Sequence, residues 1–286
     1  MADFAITRNF LEDKIGVLER AVKQKGETSS DLCVKAFQDL QTDTNVDLAK
    51  IQLLAVVTQN PDLRIPHTAA IVHQKLGLGT HCMTFDISQA CSGYIHALLI
   101  FKGLMETLHL DHALLFTSDP YSDIIDSRDR NTALLFGDAA TVSYLTRTGA
   151  GYVITDAHFG TVPGSCTCAQ CADFLALNGR EVFSHAVREV PKSVQTLLDR
   201  NTATLADIDL FLLHQGSKLV VDYIKQTLAI PPEKAPVDIL HYGNTASSSI
   251  PLLFQQPLRQ QTHRKVICSG FGAGFSWGSC LLELSK

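Results

Sequence analysis

Phe85-Asp-Ile-Ser-Gln-Ala-Cys-Ser-Gly-Tyr94 joins a short β-type run to a long apolar stretch of helical period, and the junction carries a thiol, Cys91. The pattern predicts a strand over 83–87 and a helix over 92–108. A thiol at a helix N-terminus faces unsatisfied backbone N–H groups and the positive end of the helix dipole, which favour thiolate over thiol. Ala90, Ser92 and Gly93 are small and leave room for a reactant. On this segment alone the commoner alternative is a buried structural cysteine, because free cysteine is among the most buried residue types.

Outward from this junction, β-type runs alternate with helical-period segments. Strands are predicted at 51–58, 83–87, 113–117, 133–136, 141–145, 152–157, 210–213, 266–269 and 275–282. Helices are predicted at 30–40, 69–77, 92–108, 180–199 with Pro191 as a kink, 218–228 and 248–260. The alternation predicts a layered α/β architecture with internal sheets. Residues 160–173, rich in glycine, proline and polar residues, read as a loop. The expected boundary lies near residue 150, dividing the chain into halves 1–150 and 151–286 with loosely similar element order.

The chain has 286 residues, 45% hydrophobic and 19% charged, with 24 basic and 29 acidic side chains and a net charge of -5. This balance is that of a globular protein with a sizeable core, and it excludes disordered and fibrous classes. Without a basic run, no nucleic-acid partner is expected. Residues 1–20 hold no signal-peptide apolar core and no run approaches the length of a membrane helix, so the expected location is the cytoplasm, away from the membrane. Eight cysteines in that setting are expected to be reduced thiols.

Other segments offer chemistry. Asp209-Leu-Phe-Leu-Leu-His214-Gln-Gly216 places an imidazole at the C-terminal edge of a predicted strand, where catalytic groups of α/β proteins gather. Asn244 lies in a turn of small polar residues, where it caps the turn or presents an amide to a substrate oxygen. Gly270-Phe-Gly-Ala-Gly-Phe-Ser-Trp-Gly278 falls between two strands. A dinucleotide fingerprint would instead open a helix, so these glycines read as sites of close backbone approach. Gly137-Asp138-Ala139-Ala140 reads equally as a plain hairpin. Cys166, Cys168 and Cys171, with His158 the nearest further ligand in sequence, fall short of the paired knuckles of structural zinc. They are read as loop thiols, with no metal.

Taken together, Asp86-Ile-Ser-Gln-Ala-Cys91-Ser-Gly, Phe136-Gly-Asp, Asn178-Gly-Arg-Glu-Val-Phe183, His214-Gln, Gly243-Asn-Thr-Ala-Ser-Ser-Ser-Ile-Pro251 and Gly272-Ala-Gly-Phe-Ser-Trp-Gly278 resemble, in order and spacing, the β-ketoacyl-acyl-carrier-protein synthase III family. The resemblance runs from about residue 10 to residue 282. It implies a thiolase-like fold of five αβαβα layers built from two similar halves, usually as a homodimer. It implies Cys91 as the nucleophile that accepts an acyl group from acyl-CoA. His214 and Asn244 would stabilise the enolate formed as a malonyl thioester loses carbon dioxide, and the N–H groups of Cys91 and Gly274 would hold each oxyanion. A decarboxylative Claisen condensation then gives a 3-oxoacyl product, in fatty-acid initiation or a specialised-metabolite pathway. No cofactor is implied; acyl-CoA and malonyl-CoA or malonyl-carrier protein are substrates.

The resemblance also marks departures. Phe10, Lys14 and Arg130 fall where the family places an aromatic and two arginines that grip coenzyme A, so two of the three differ. Gly179 and Phe183 match the wall of the pantetheine tunnel. Ser217 and Leu219 stand where the family has a pantetheine-contacting asparagine and a basic carrier-protein docking residue, with Lys218 between them. Ile65 falls where a residue of the dimer partner shapes the acyl pocket. The usual first N-terminal strand is absent from the chain, and upstream residues are one expected source of it. Two other functions fit the same motifs: an acyltransferase that passes the Cys91 acyl group to an alcohol or amine, and a noncatalytic subunit of a heterodimer.

Overall fold

The computed structural model describes residue 4 and residues 6–285. Leu53–Val57 (β1) is five apolar residues long and buried throughout, as a strand is only when both faces of its sheet are covered. Leu53, Ala55 and Val57 enter one core, Leu54 and Val56 another, following the two-residue strand period. β1 lies parallel between Met83–Ile87 (β2) and His112–Ser118 (β3), and Ala140–Thr146 (β4) runs antiparallel to β3. A second sheet contains Tyr152–Thr161 (β5), Leu210–Leu213 (β8), Lys265–Gly272 (β9) and Ser276–Leu284 (β10) in the order β5-β10-β9-β8, with only β8 and β9 parallel. Ala169–Cys171 (β6) and Leu175–Leu177 (β7) form a separate hairpin.

After the short helix Arg8–Phe10 (α1), which continues into a π turn at Leu11–Ile15, helices supply the remaining layers. Ser29–Asp43 (α2), opened by a capping box between Thr28 and Asp31, and Thr68–Leu76 (α3) cover the outer face of the first sheet. Gly93–Leu108 (α4) and Ser249–Gln260 (α8) lie between the sheets, where Phe101, Ile95, Ile250 and Phe254 meet residues of both. Gly179–Arg200 (α6) and Lys218–Leu228 (α7) cover the outer face of the second sheet. The result is the five-layered αβαβα fold of the thiolase type. Pro191 lies inside α6, which is assigned as one helix from end to end.

The first half reads α2-β1-α3-β2-α4-β3-β4 and the second β5-α6-β8-α7-α8-β9-β10. Matching β1 with β8, β3 with β9 and β4 with β10 leaves each half one strand that the other lacks. β5 flanks β10, whereas β4 has no outer neighbour among the described residues; β2 flanks β1, whereas the segment after α7 contributes no strand. All strands of the first sheet precede residue 147, and those of the second follow residue 151.

One expected strand is absent. Residues 133–136 instead follow a short helix, Arg130–Ala133 (α5), whose N-cap Asp129 accepts from Asn131 N–H and the Thr132 hydroxyl. Only Phe136 keeps an extended contact, a single parallel bridge to Asn244. Capping chemistry and the backbone of the other half outweigh the local β-type pattern. Among the described residues no helix is long and apolar enough to cross a membrane.

Candidate active site

Cys91 sits in the turn between β2 and α4, closed by a 2.7 Å bond from Gly93 N–H to the Ala90 carbonyl. The tip of β9 passes directly beneath it. A Cβ on Gly272 would stand 3.1 Å from Cys91 Sγ and 2.9 Å from its Cβ, so the glycine is what lets a strand of the second half touch a turn of the first. The thiol is 8% exposed. Burial, then the nearby Asp119 carboxylate, push its pKa well above the ordinary thiol value. This corrects the expectation of a resting thiolate: loss of hydration outweighs the helix terminus, whose effect on a charge is usually about 1 kcal/mol or less.

His214 follows β8, with its N–H on the Ser269 carbonyl at 2.9 Å and its ring edge-on to Phe271 at 5.2 Å. Burial alone lowers its pKa to about 3, so the ring is neutral. Its Nδ1 lies 2.7 Å from Ser249 Oγ, which also accepts the Gln215 N–H at 3.5 Å. When the Ser249 hydroxyl donates to Nδ1, the neutral ring carries its hydrogen on Nε2. Asn244 Oδ1 accepts the Ala246 N–H at 2.9 Å, and Nδ2 points at the Gly216 carbonyl, 3.4 Å away. A Cβ on Gly216 would be 3.5 Å from His214 Nε2. The imidazole and the amide thus both lie against Gly216.

The remaining candidates divide. Arg130 lies over the Phe10 ring at 5.1 Å, a cation–π pair, and Lys14 is exposed in the adjoining π turn. That turn packs against α7, with Gly16 close to Lys218. Phe183 meets Tyr223 edge to face at 5.4 Å, and Gly179 opens α6 with free space around its Cα. Ser217 is the N-cap of α7, its hydroxyl accepting from Val220 N–H. Lys218 is paired with Asp222 in its own helix. Ile65 is 87% exposed. The Gly274 N–H faces the buried Cys168 sulfur, where it partly offsets the rise that burial causes in that thiol. The N–H of Cys91 itself acts on the Cys91 sulfur, against the rise that burial causes.

A cleft of about 400 Å³ reaches Ala90, the residue before Cys91, and is walled also by Gln59, Gln89, Cys166, Ala273 and Gly274. Cys166 and Cys171 are exposed and Cys168 is buried; among the described residues no three ligand-type side chains converge as a metal site would need. Asp138 of the Phe-Gly-Asp motif accepts from Lys23 N–H and from the backbone and hydroxyl of Ser122, so the motif is a clamp on the chain rather than a plain hairpin. Sequence reasoning missed Ser249, Asp119 and Tyr121. Ser249 stood within a quoted motif; the other two carry no local pattern that points to Cys91.

Residues 85–163 match the family model for 3-oxoacyl-[acyl-carrier-protein] synthase III, and residues 198–284 match that for the C-terminal part of the same enzymes. The chain is 30% identical to a β-ketoacyl-[acyl-carrier-protein] synthase III of Lactococcus lactis subsp. cremoris over 295 residues, 96% of this chain and 90% of that one. Its fold superposes on a β-ketoacyl-[acyl-carrier-protein] synthase III structure from Thermus thermophilus with a TM-score of 0.91 at 29% identity, covering 98% of this chain and 92% of that one. A 3-oxoacyl-(acyl carrier protein) synthase III from Pseudomonas aeruginosa gives 0.91 at 27% identity, with 100% and 92% covered.

Proposed function

The chain belongs to the 3-oxoacyl-[acyl-carrier-protein] synthase III family of condensing enzymes, and from that premise we propose that it joins an acyl group held on Cys91 to a malonyl thioester with loss of carbon dioxide. The observation that carries the reading is a buried thiol together with a neutral imidazole, His214, and a carboxamide, Asn244, that both lie against Gly216. Neutral donors suit this chemistry. They stabilise an enolate oxygen as charge develops, and they carry no positive charge that would hold the substrate carboxylate in its ground state.

Cys91 attacks the thioester carbonyl of acyl-CoA, the C–S bond to coenzyme A breaks, and the thiol proton leaves with the coenzyme A thiolate. The Cys91 N–H holds the oxyanion. A malonyl thioester then places its carbonyl oxygen on His214 and Asn244. As carbon dioxide leaves, the bonding pair becomes an enolate whose α-carbon attacks the acyl-Cys91 carbonyl. Cleavage of the C–S bond to Cys91 releases the 3-oxoacyl thioester, and the thiolate takes up a proton. Phe10 and Arg130 are proposed to grip coenzyme A at the tunnel mouth, near Lys14, Ser217, Gly179 and Phe183. A cytosolic homodimer is proposed, its contact formed by the edge strand β2 and the loop between β1 and α3, where Met83, Leu63 and Ile65 are 45%, 54% and 87% exposed.

The test is a panel of acyl-CoAs scored for mass increase on Cys91, followed by carbon dioxide and product measurement with malonyl-CoA and malonyl-carrier protein. Condensation with either donor is the expected result. Transfer of the acyl group to an alcohol or amine with no decarboxylation of either donor would replace this reading.

A further inference from the structure

Asp119 follows the last residue of β3 and is 0% exposed. Its neighbours among the described residues are hydrogen-bond donors rather than cations. One oxygen, Oδ1, accepts the Gln59 N–H at 2.8 Å; the other, Oδ2, accepts the Ser247 N–H at 3.4 Å and the Ser247 hydroxyl. A buried carboxylate without a counter-ion is costly, and burial raises this one to about 6 against the pull of those donors. Removing it from the apolar interior would be cheaper unless its grip serves the site.

The two oxygens hold two different segments that meet near Cys91. On one side, Ser247 is the crest of the turn that begins at Asn244. The Asn244 backbone is tied independently, its N–H to the Leu135 carbonyl at 2.8 Å and its carbonyl to the Gly137 N–H at 3.0 Å. Its side-chain amide depends on the crest, because Oδ1 is held by the N–H of Ala246, the residue next to Ser247. On the other side, Gln59 Oε1 accepts the Tyr121 hydroxyl at 2.8 Å, and Tyr121 packs in one cluster with Ala90, Cys91 and Ala246.

We propose that Asp119 is a positioning residue for decarboxylation: through Ser247 and Ala246 it holds the Asn244 amide in the orientation that presents Nδ2, while its second oxygen fixes the Gln59–Tyr121 wall beside the thiol. The inference rests on the condensing reading above. It predicts that loosening the crest damages enolate formation and spares acyl transfer to Cys91.

The experiment compares the full-length protein with Asp119→Asn, Ser247→Ala and the double variant, measuring Cys91 acylation by mass and carbon dioxide release from malonyl-CoA. Ser247→Ala should acylate at close to the wild-type rate, and both single variants should lose roughly 10- to 100-fold in decarboxylation kcat, the usual cost of removing a partner that orients a reacting group, with KM little changed. In Asp119→Asn the loss of the carboxylate also lowers the Cys91 pKa, so its decarboxylation loss is read on the acyl-independent carbon dioxide release. The double variant should be no slower than Asp119→Asn, because both changes cut the same link. Wild-type decarboxylation in both single variants, equal losses in acylation and decarboxylation, or multiplying losses in the double variant would each overturn the assignment while the condensing reading stands. Should Asp119→Asn fail to fold, Ser247→Ala decides by the same split. A wild-type protein that acylates and releases no carbon dioxide overturns the condensing reading and this role with it.

Discussion

Cys91→Ala removes the acyl acceptor and leaves the pair that faces the enolate, so it should form no acyl-enzyme yet still release carbon dioxide from a bound malonyl thioester. His214→Ala and Asn244→Ala should do the reverse, acylating normally while decarboxylation falls about 100- to 1000-fold, the usual cost of one oxyanion donor. Mass spectrometry and carbon dioxide release on the three variants check the division. The buried thiol supports a second expectation. Because burial and Asp119 raise its pKa, the thiolate fraction grows with every step in pH, and alkylation of Cys91 by iodoacetamide should rise roughly tenfold per unit from pH 7 to pH 9. A plateau below pH 8, read by peptide mapping, would mean a thiolate at rest.

Between the elements, the halves meet through backbone approaches that tolerate no side chain. A Cβ on Gly137 would lie 1.7 Å from the Tyr242 carbonyl oxygen, and neither backbone can yield without disturbing the Phe136–Asn244 bridge. Gly137→Ala should therefore cost about 2–3 kcal/mol, as overpacking a close contact does, and lower the melting midpoint by roughly 3–5 °C in a chain of this length. An unchanged midpoint in a calorimetric scan would mean that the junction adapts. The same junction explains the strand expected at 133–136. Apolar residues there were legible as buried, but what buries Phe136 is a side-chain cluster with Tyr121, Cys91 and Ala246 rather than a sheet, and a periodicity cannot distinguish the two.

For the whole molecule, the proposed dimer would cover exposed apolar residues of the edge strand β2 and of the loop before α3, Met83 and Ile65 among them. Ile65→Lys, placed where 87% of the side chain is open, should shift the mass in light scattering from twice toward once the 31.2 kDa chain without changing the fold of each subunit. A wild-type protein that already runs at the single-chain mass would remove the dimer proposal. At this scale the sequence by itself determined a layered α/β architecture and the identity of the chemistry-bearing loops, and through the resemblance those loops carry it implied the αβαβα order. Strand period, helix caps and the motifs around residues 91, 214, 244 and 274 are local properties, set by neighbours a few residues away. Tertiary structure alone decided the state of those groups. The thiol is protonated because the folded chain removes its water, and the imidazole is neutral for the same reason. Asp119 matters because residues 59 and 247 converge on it from distant parts of the chain. Desolvation and long-range hydrogen bonds depend on which segments meet, and that is determined by packing rather than by any residue's neighbours in sequence.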